Sequence, residues 1–326
     1  MHKLIALYPV AVLLLGCAGA PTTQISAFGD STKAISEKVD AVLNEYNQEY
    51  LTREFTSYAA TYTGKNVKHL TIAELSKIVV PISAMKNRGF AIFRANKAIG
   101  SYAKSLSALA RASSQVDIDL AAADLYGAFT SLNSQYKVLN GSELFSSGSL
   151  AASSKFIAAI GSAIVEEKRR KAIKGIVIEA DKKIGLMCDE IYNQLEESGF
   201  EDGIVQARKY VLLEELGDYK IRIDSIKSLD KRRMQIKRLY ELQQNVMNSK
   251  LLIQQTQKAV KLVKSSHATL AAELKKDRFT SASISLAIGK LKNLEKHYDD
   301  FEALLLSCKT EPKILNGVLV CDNVVQ

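Results

Sequence analysis

Apolar residues recur at three- and four-residue intervals along most of the chain, the spacing that lines one side of an α-helix. The first such stripe starts at Ser31 and runs through Ile35, Val39, Val42 and Tyr46 to Leu51, Phe55, Tyr58 and Tyr62, and Gly64 ends it. Thr71-Ile-Ala-Glu74 is a capping box, with Leu70 and Leu75 as its hydrophobic staple, so a second helix begins there. Pro81 breaks or kinks it, because proline lacks the N–H and crowds the preceding turn. A new run follows through Ile92, Ala95, Ile99, Tyr102, Leu106 and Leu109. Asp117 then caps a helix carrying Leu125, Phe129, Leu132, Tyr136 and Leu139, closed by Asn140-Gly141.

Residues 142–154 are rich in Ser and Gly and form the best internal linker in the chain. Beyond it, Ser154 to Glu197 lacks proline and repeats at Ala180, Ile184, Met187, Ile191 and Leu195 before Ser198-Gly199 ends the pattern. The next stripe runs from Val205 through Leu212, Leu216, Tyr219 and Ile226 to Tyr240, Met247, Val260, Val263, Leu270 and Leu274. Unbroken from Ile204 to Leu274 it would measure ~105 Å at ~1.5 Å per residue. Ser225 to Ser228 is its one plausible break, which leaves a continuous helix and a helix–turn–helix both open. A last helix carrying Ile284, Ile288, Leu291, Tyr298, Phe301 and Leu305 begins near Thr280 or Ser281. Asn316-Gly317 suits a turn needing positive φ, so Ile314 to Val320 reads as a small hairpin. Each helix has one apolar face, and such faces are most economically buried against each other. The expected class is all-α: an elongated antiparallel bundle of long helices with a small C-terminal β-hairpin.

The first residues have a different pattern. Lys3 precedes an apolar run from Leu4 to Leu15, and Gly16-Cys17 follows directly. Twelve apolar residues make ~18 Å of helix, too short for a bilayer core of ~30 Å, so the run reads as a secretion signal. Leu14-Leu15-Gly16-Cys17 resembles the lipobox of bacterial lipoproteins, although Leu15 departs from the usual small or β-branched residue. The resemblance covers only the first 17 or so residues. It implies cleavage before Cys17, lipidation of that thiol and, with Ala18 rather than Asp in the next position, sorting to the outer membrane with the body facing the periplasm. The expected organisation is therefore a signal peptide at 1–16, a lipidated N-terminus and flexible tether at 17–30, a helical bundle at 31–307, and a hairpin and tail at 308–326.

Composition narrows the class. Removing 16 of 326 residues leaves 310, enough for one large domain or two small ones, and lowers the formal charge from +9 to +8. With 47% hydrophobic residues, no Trp, four Pro and 17 Gly, the chain suits an ordered helical protein better than a disordered or β-rich one. Three cysteines remain in the mature body, Cys188, Cys308 and Cys321, allowing three single pairings. In an oxidising periplasm Cys308 with Cys321 is the favoured disulfide, leaving Cys188 as a buried free thiol.

Chemistry is sparse. His69, His267 and His297 stand in no metal-ligand spacing, since positions 66, 264 and 294 are Asn, Lys and Leu, and they read as surface or interhelical residues. No phosphate-binding Gly-rich loop and no Gly-x-Ser-x-Gly elbow occurs. Ser-x-x-Lys appears at Ser83/Lys86, Ser101/Lys104, Ser134/Lys137 and Ser228/Lys231 without the companion motifs of a β-lactamase-like site, a chance pattern in a chain rich in both residues. Two segments rise above this background. Lys231, Arg232, Arg233, Lys237 and Arg238 place five cations in eight residues, echoed by Lys168 to Lys171. They form either a solvated face paired with nearby Glu or a contact for anionic headgroups, peptidoglycan or an acidic partner. Phe156 to Val165 contains only Ile, Ala, Gly, Ser, Val and Phe, and ten such residues fit a buried helix better than a membrane-entering one.

The sequence thus leads to a structural or interaction module of the cell envelope, held to the membrane by its acyl chains and docking an envelope protein or peptidoglycan. It offers no catalytic residue, metal site or cofactor, and predicts no nucleic-acid or small-molecule partner. The alternative is a membrane-active, pore-forming helical protein using residues 156–165.

Overall fold

The computed structural model describes residues 22–61, 72, 84–145, 166–197, 200–276 and 280–307, together with 313–315 and 318–320. The fold is all-α. Among the described residues seven helices make it up: α1 (Thr22–Ala60), α2 (Ala84–Arg111), α3 (Gln115–Asn140), α4 (Glu166–Glu197), α5 (Phe200–Arg222), α6 (Leu229–Lys275) and α7 (Ser281–Ser307). None of them is long and apolar enough to cross a membrane. The lipobox, the capping box at 71–74 apart from Ile72, Pro81, the segment 156–165, Cys308 and Cys321 all lie outside the described residues.

The tether expected over 17–30 is corrected from Thr22 onward, where α1 already runs. The stripe through Val39 and Ile35 continues backward to Thr32, Phe28 and Ile25, all buried. Small polar residues give this stretch the look of a spacer, yet they are what lets α2 come close. A Cβ on Gly29 would stand 2.5 Å from the Ala103 carbonyl oxygen, and one on Gly100 would stand 2.5 Å from Ser36 Oγ. Partners on α2 descend as those on α1 ascend, so the two helices are antiparallel. Ser26 pairs with Ser107, Asp30 with Ser107 and Arg111, and Ser36 with Asn96.

The cap of α3 is also corrected. Ser114 is the N-cap, its hydroxyl accepting from the Asp117 N–H, while Asp117 closes the capping box by accepting from the Ser114 N–H. At the other end Gly141 takes φ +80, the left-handed conformation that favours glycine. The expected linker at 142–154 is anchored where it starts: Leu144 and Phe145 are buried. The Phe145 N–H donates to Asn133 Oδ1 at 2.8 Å and its ring stacks edge-on to Phe129.

The stripe from 204 to 274 breaks where Ser225 to Ser228 suggested. A 3-10 turn, Ile223–Ser225, follows α5, and Ser228 caps α6 by accepting from the Lys231 N–H. Both sides of the break have an apolar face, but only parts of them are covered. A continuous core to which all seven helices contribute ends near Tyr46, Val211 and Asn248. Beyond this boundary nothing in 47–60 or 212–247 is buried. The end of α1, the end of α5 and the start of α6 thus extend past the core as a three-helix arm, with Thr56 and Ala60 beside Gly217 and Ile221.

Candidate functional site

Two places concentrate polar chemistry, one inside the body and one on the arm. Inside, His267 of α6 is 1% exposed, wrapped by Phe28, Tyr102 and the neighbouring Phe129. Its Nε2 lies 2.9 Å from Tyr102 Oη and its Nδ1 lies 3.0 Å from Asp181 Oδ1. An imidazole with Nδ1–H donating to Asp181 and Nε2 accepting from the Tyr102 hydroxyl satisfies both contacts. Burial, with the nearby Asp181 charge, holds the Tyr102 phenol above its ordinary range. The hydrogen bond from His267 holds the Asp181 carboxyl below the usual carboxylate range despite partial burial.

This chain of Tyr, His and Asp superficially resembles a proton relay. Both ring nitrogens are occupied, however, and the imidazole is sealed by aromatic rings, so nothing is left to receive a substrate proton. The arrangement can join α2, α4 and α6 by satisfying the buried Tyr102 and His267 together with the partly exposed Asp181. Sequence reading left His267 as a surface or an interhelical residue and gave no sign of its partners, which lie 86 and 165 residues away. His297 is exposed, and His69 lies outside the described residues.

Other polar groups also hold helices together. Asn96 Nδ2 donates to the Ser36 carbonyl and to Asp40 Oδ1, both at 2.8 Å. Burial outweighs that hydrogen bond and pushes the Asp40 carboxyl up to about 6. Cys188 is a buried free thiol, pushed up to about 12 by burial, which leaves almost no thiolate for nucleophilic or redox chemistry. Arg208, 3% exposed, sits at the root of the arm. It reaches Glu45 and Glu49 on α1, and the Asn245 carbonyl and Ser249 hydroxyl on α6. Among the described residues no group of three His, Cys, Asp or Glu is placed to hold a metal ion.

The predicted cationic cluster lies on the arm, at the start of α6. Arg233 pairs with Asp230 at 3.5 Å, Lys237 with Glu241 at 3.6 Å, and Arg238 with Glu215 of α5 at 2.5 Å, all of these cations being well exposed. Lys231 and Arg232, with Lys220 and Lys227 nearby, make no ion pair among the described residues. Some cations of the cluster therefore pair with carboxylates, and others make no ion pair among the described residues. A cleft of about 420 Å³ opens between the turn and α6, lined by Arg222, Lys231 and Arg238 as well as Ile226 and Met234. The echo at 168–171 differs, because Arg169 is buried and donates to the Ala112 carbonyl.

Sequence reading found an apolar stripe through the same region but not that much of it stays exposed. Of the fourteen exposed large hydrophobic residues described, seven lie on the arm: Phe55, Leu213, Ile221, Leu229, Met234, Ile236 and Tyr240. Scattered exposed hydrophobic residues are ordinary, whereas this gathering in one region is not. No family model, no curated protein and no solved structure matches the chain.

Proposed function

We propose that the protein is a membrane-tethered periplasmic lipoprotein, anchored to the outer membrane through acyl chains on Cys17, that acts as an interaction module of the cell envelope. The observation that carries this reading is the arm, a cationic and apolar surface extending beyond a sealed core. Long helices with exposed charged faces offer recognition area, whereas the buried His267 network has no open nitrogen to offer a substrate. Function as an enzyme is therefore not proposed.

The finer architecture belongs to this proposal: an elongated antiparallel bundle with a small C-terminal hairpin. Residue pairing supports the first part. Asp181–His267 and Asp189–Lys264 match ascending positions on α4 to descending ones on α6, and Arg208–Ser249 and Glu215–Arg238 do the same for α5 and α6. Antiparallel pairing of Lys313–Leu315 with Val318–Val320 supports the second. Because α1 starts near the acylated end and finishes on the arm, ~58 Å of helix separates anchor from docking surface.

Metabolic labelling with a fatty-acid analogue tests the anchor. Wild type should take up label and Cys17→Ala should not; an unlabelled wild-type protein would remove the tether. Affinity capture from envelopes tests the docking surface. Reversal of Lys231, Arg232 and Arg233 should abolish recovery of whatever the wild type retains, and identical recoveries would contradict the role given to the arm.

A further inference from the structure

We infer that the outer end of the arm, from Tyr219 to Tyr240, docks on an anionic lipid bilayer. This deepens the interaction reading and rests on it for the arm as the docking surface, but it does not depend on acylation of Cys17. On α6, Leu229, Ile236 and Tyr240 follow one another at seven- and four-residue steps and so share one stripe. They are 62%, 54% and 48% exposed, in a helix where a covered stripe would be nearly inaccessible. Arg233 and Lys237 border that stripe, and Ile221, 84% exposed, stands across the turn.

Charge selects the occupant. Of the eight cations from Tyr219 to Tyr240, Arg222, Arg233, Lys237 and Arg238 pair with Asp218, Asp230, Glu241 and Glu215, and four others make no ion pair among the described residues. Lys227, Lys231 and Arg232 are among those without an ion-pair partner in the described residues, so an incoming phosphate need not displace a carboxylate from them. A projecting helical hairpin with aliphatic side chains between cations matches the layering of a bilayer surface. The aliphatic groups reach the acyl boundary, the lysine and arginine stems follow them, and their charged ends stay among headgroup phosphates. Tyrosine, with an apolar ring and polar tip, suits the same depth. An acidic protein would satisfy the cations but would require its own recess for Ile221, Leu229 and Ile236.

Vesicle co-sedimentation of the mature chain carrying Cys17→Ser tests this without any acyl contribution. Binding to phosphatidylcholine vesicles containing phosphatidylglycerol should exceed binding to phosphatidylcholine alone by at least tenfold. Lys227→Glu/Lys231→Glu/Arg232→Glu should weaken it by about 100-fold, near-surface cations each contributing several-fold. Leu229→Asp/Ile236→Asp should weaken it roughly tenfold or more, with unchanged helical circular dichroism because both positions are exposed. Lys104→Glu/Lys258→Glu/Lys296→Glu, which removes the same charge from exposed positions off the arm, should have little effect. Equal binding to both vesicle types, or equal losses in the arm and control charge sets, would overturn the inference. Wild-type binding by the Leu229/Ile236 variant would also overturn it, since only diffuse charge attraction would remain. Absence of vesicle binding, with arm-dependent capture of a protein partner intact, would overturn the lipid inference while leaving the interaction reading standing.

Discussion

The body and the arm are built from the same helices, α1, α5 and α6, yet residues with similar spacing have opposite fates in the two regions. In the body, α6 places Val260, Val263, His267, Leu270 and Leu274 against α4 and its neighbours, each 4% exposed or less. In the arm, the same helix leaves Leu229, Ile236 and Tyr240 about half exposed or more. Apolar periodicity therefore reports that a helix has a face to cover; a second surface must exist for that face to stabilise the fold. Where it does, burial contributes about 1.5–3 kcal/mol per large aliphatic side chain. Where it does not, the face remains available to something outside the chain.

This contrast is most sharply broken by paired truncations. Leu106→Ala, at a fully buried position, should cost about 3 kcal/mol in denaturant unfolding. Leu229→Ala on the arm should cost less than about 0.5 kcal/mol. Comparable losses would mean that the arm is part of the folding core. A smaller effect is expected from Tyr102→Phe, which removes the hydroxyl donating to His267 Nε2 and leaves a buried acceptor unmet, at a cost of about 2 kcal/mol. No loss there would show that the network does not join the helices.

The pH dependence of the body carries two opposite signs. Asp181 is held below the usual carboxylate range, so its contribution is present at neutral pH and is lost as the pH falls through its lowered value. Asp40 is raised from 3.8 to about 6, so the folded state holds its proton more tightly than the unfolded chain does. Its contribution to stability therefore falls as the pH rises from roughly 4 to about 6. Asp40→Asn keeps an oxygen able to accept from Asn96 and should raise Tm at pH 7 while changing it little near pH 4. A Tm that drops at pH 7 would contradict the assignment. Arm substitutions such as Ile236→Ala should leave these profiles unchanged, the smallest effect in the series.

Much of the helical class was legible because local signals coincide with tertiary ones. Gly141 ends α3 for a backbone reason, Ser228 caps α6 by its own hydroxyl, and the Cys188 thiol falls on a stripe that is buried. The start of α1 was obscured because Ser26 and Gly29 look like spacer residues until α2 is seen pressing against them. Asp117 was read as a cap because it belongs to one, three residues from the true N-cap. The His267 network was beyond reach, since Tyr102 and Asp181 become its partners only when distant segments pack. Exposure of the arm was hidden for a similar reason: a stripe on one helix does not reveal whether a third helix arrives to cover it.

Hydrogen exchange read by mass spectrometry, with and without anionic vesicles, tests the division of labour most directly. In free protein, amides of 229–240 should exchange well before those of 252–274 on the same helix, because few buried contacts hold the arm. Vesicles should slow exchange at 219–240 and leave the body unaltered. Uniform protection along α6, or slowing confined to the body, would contradict the account.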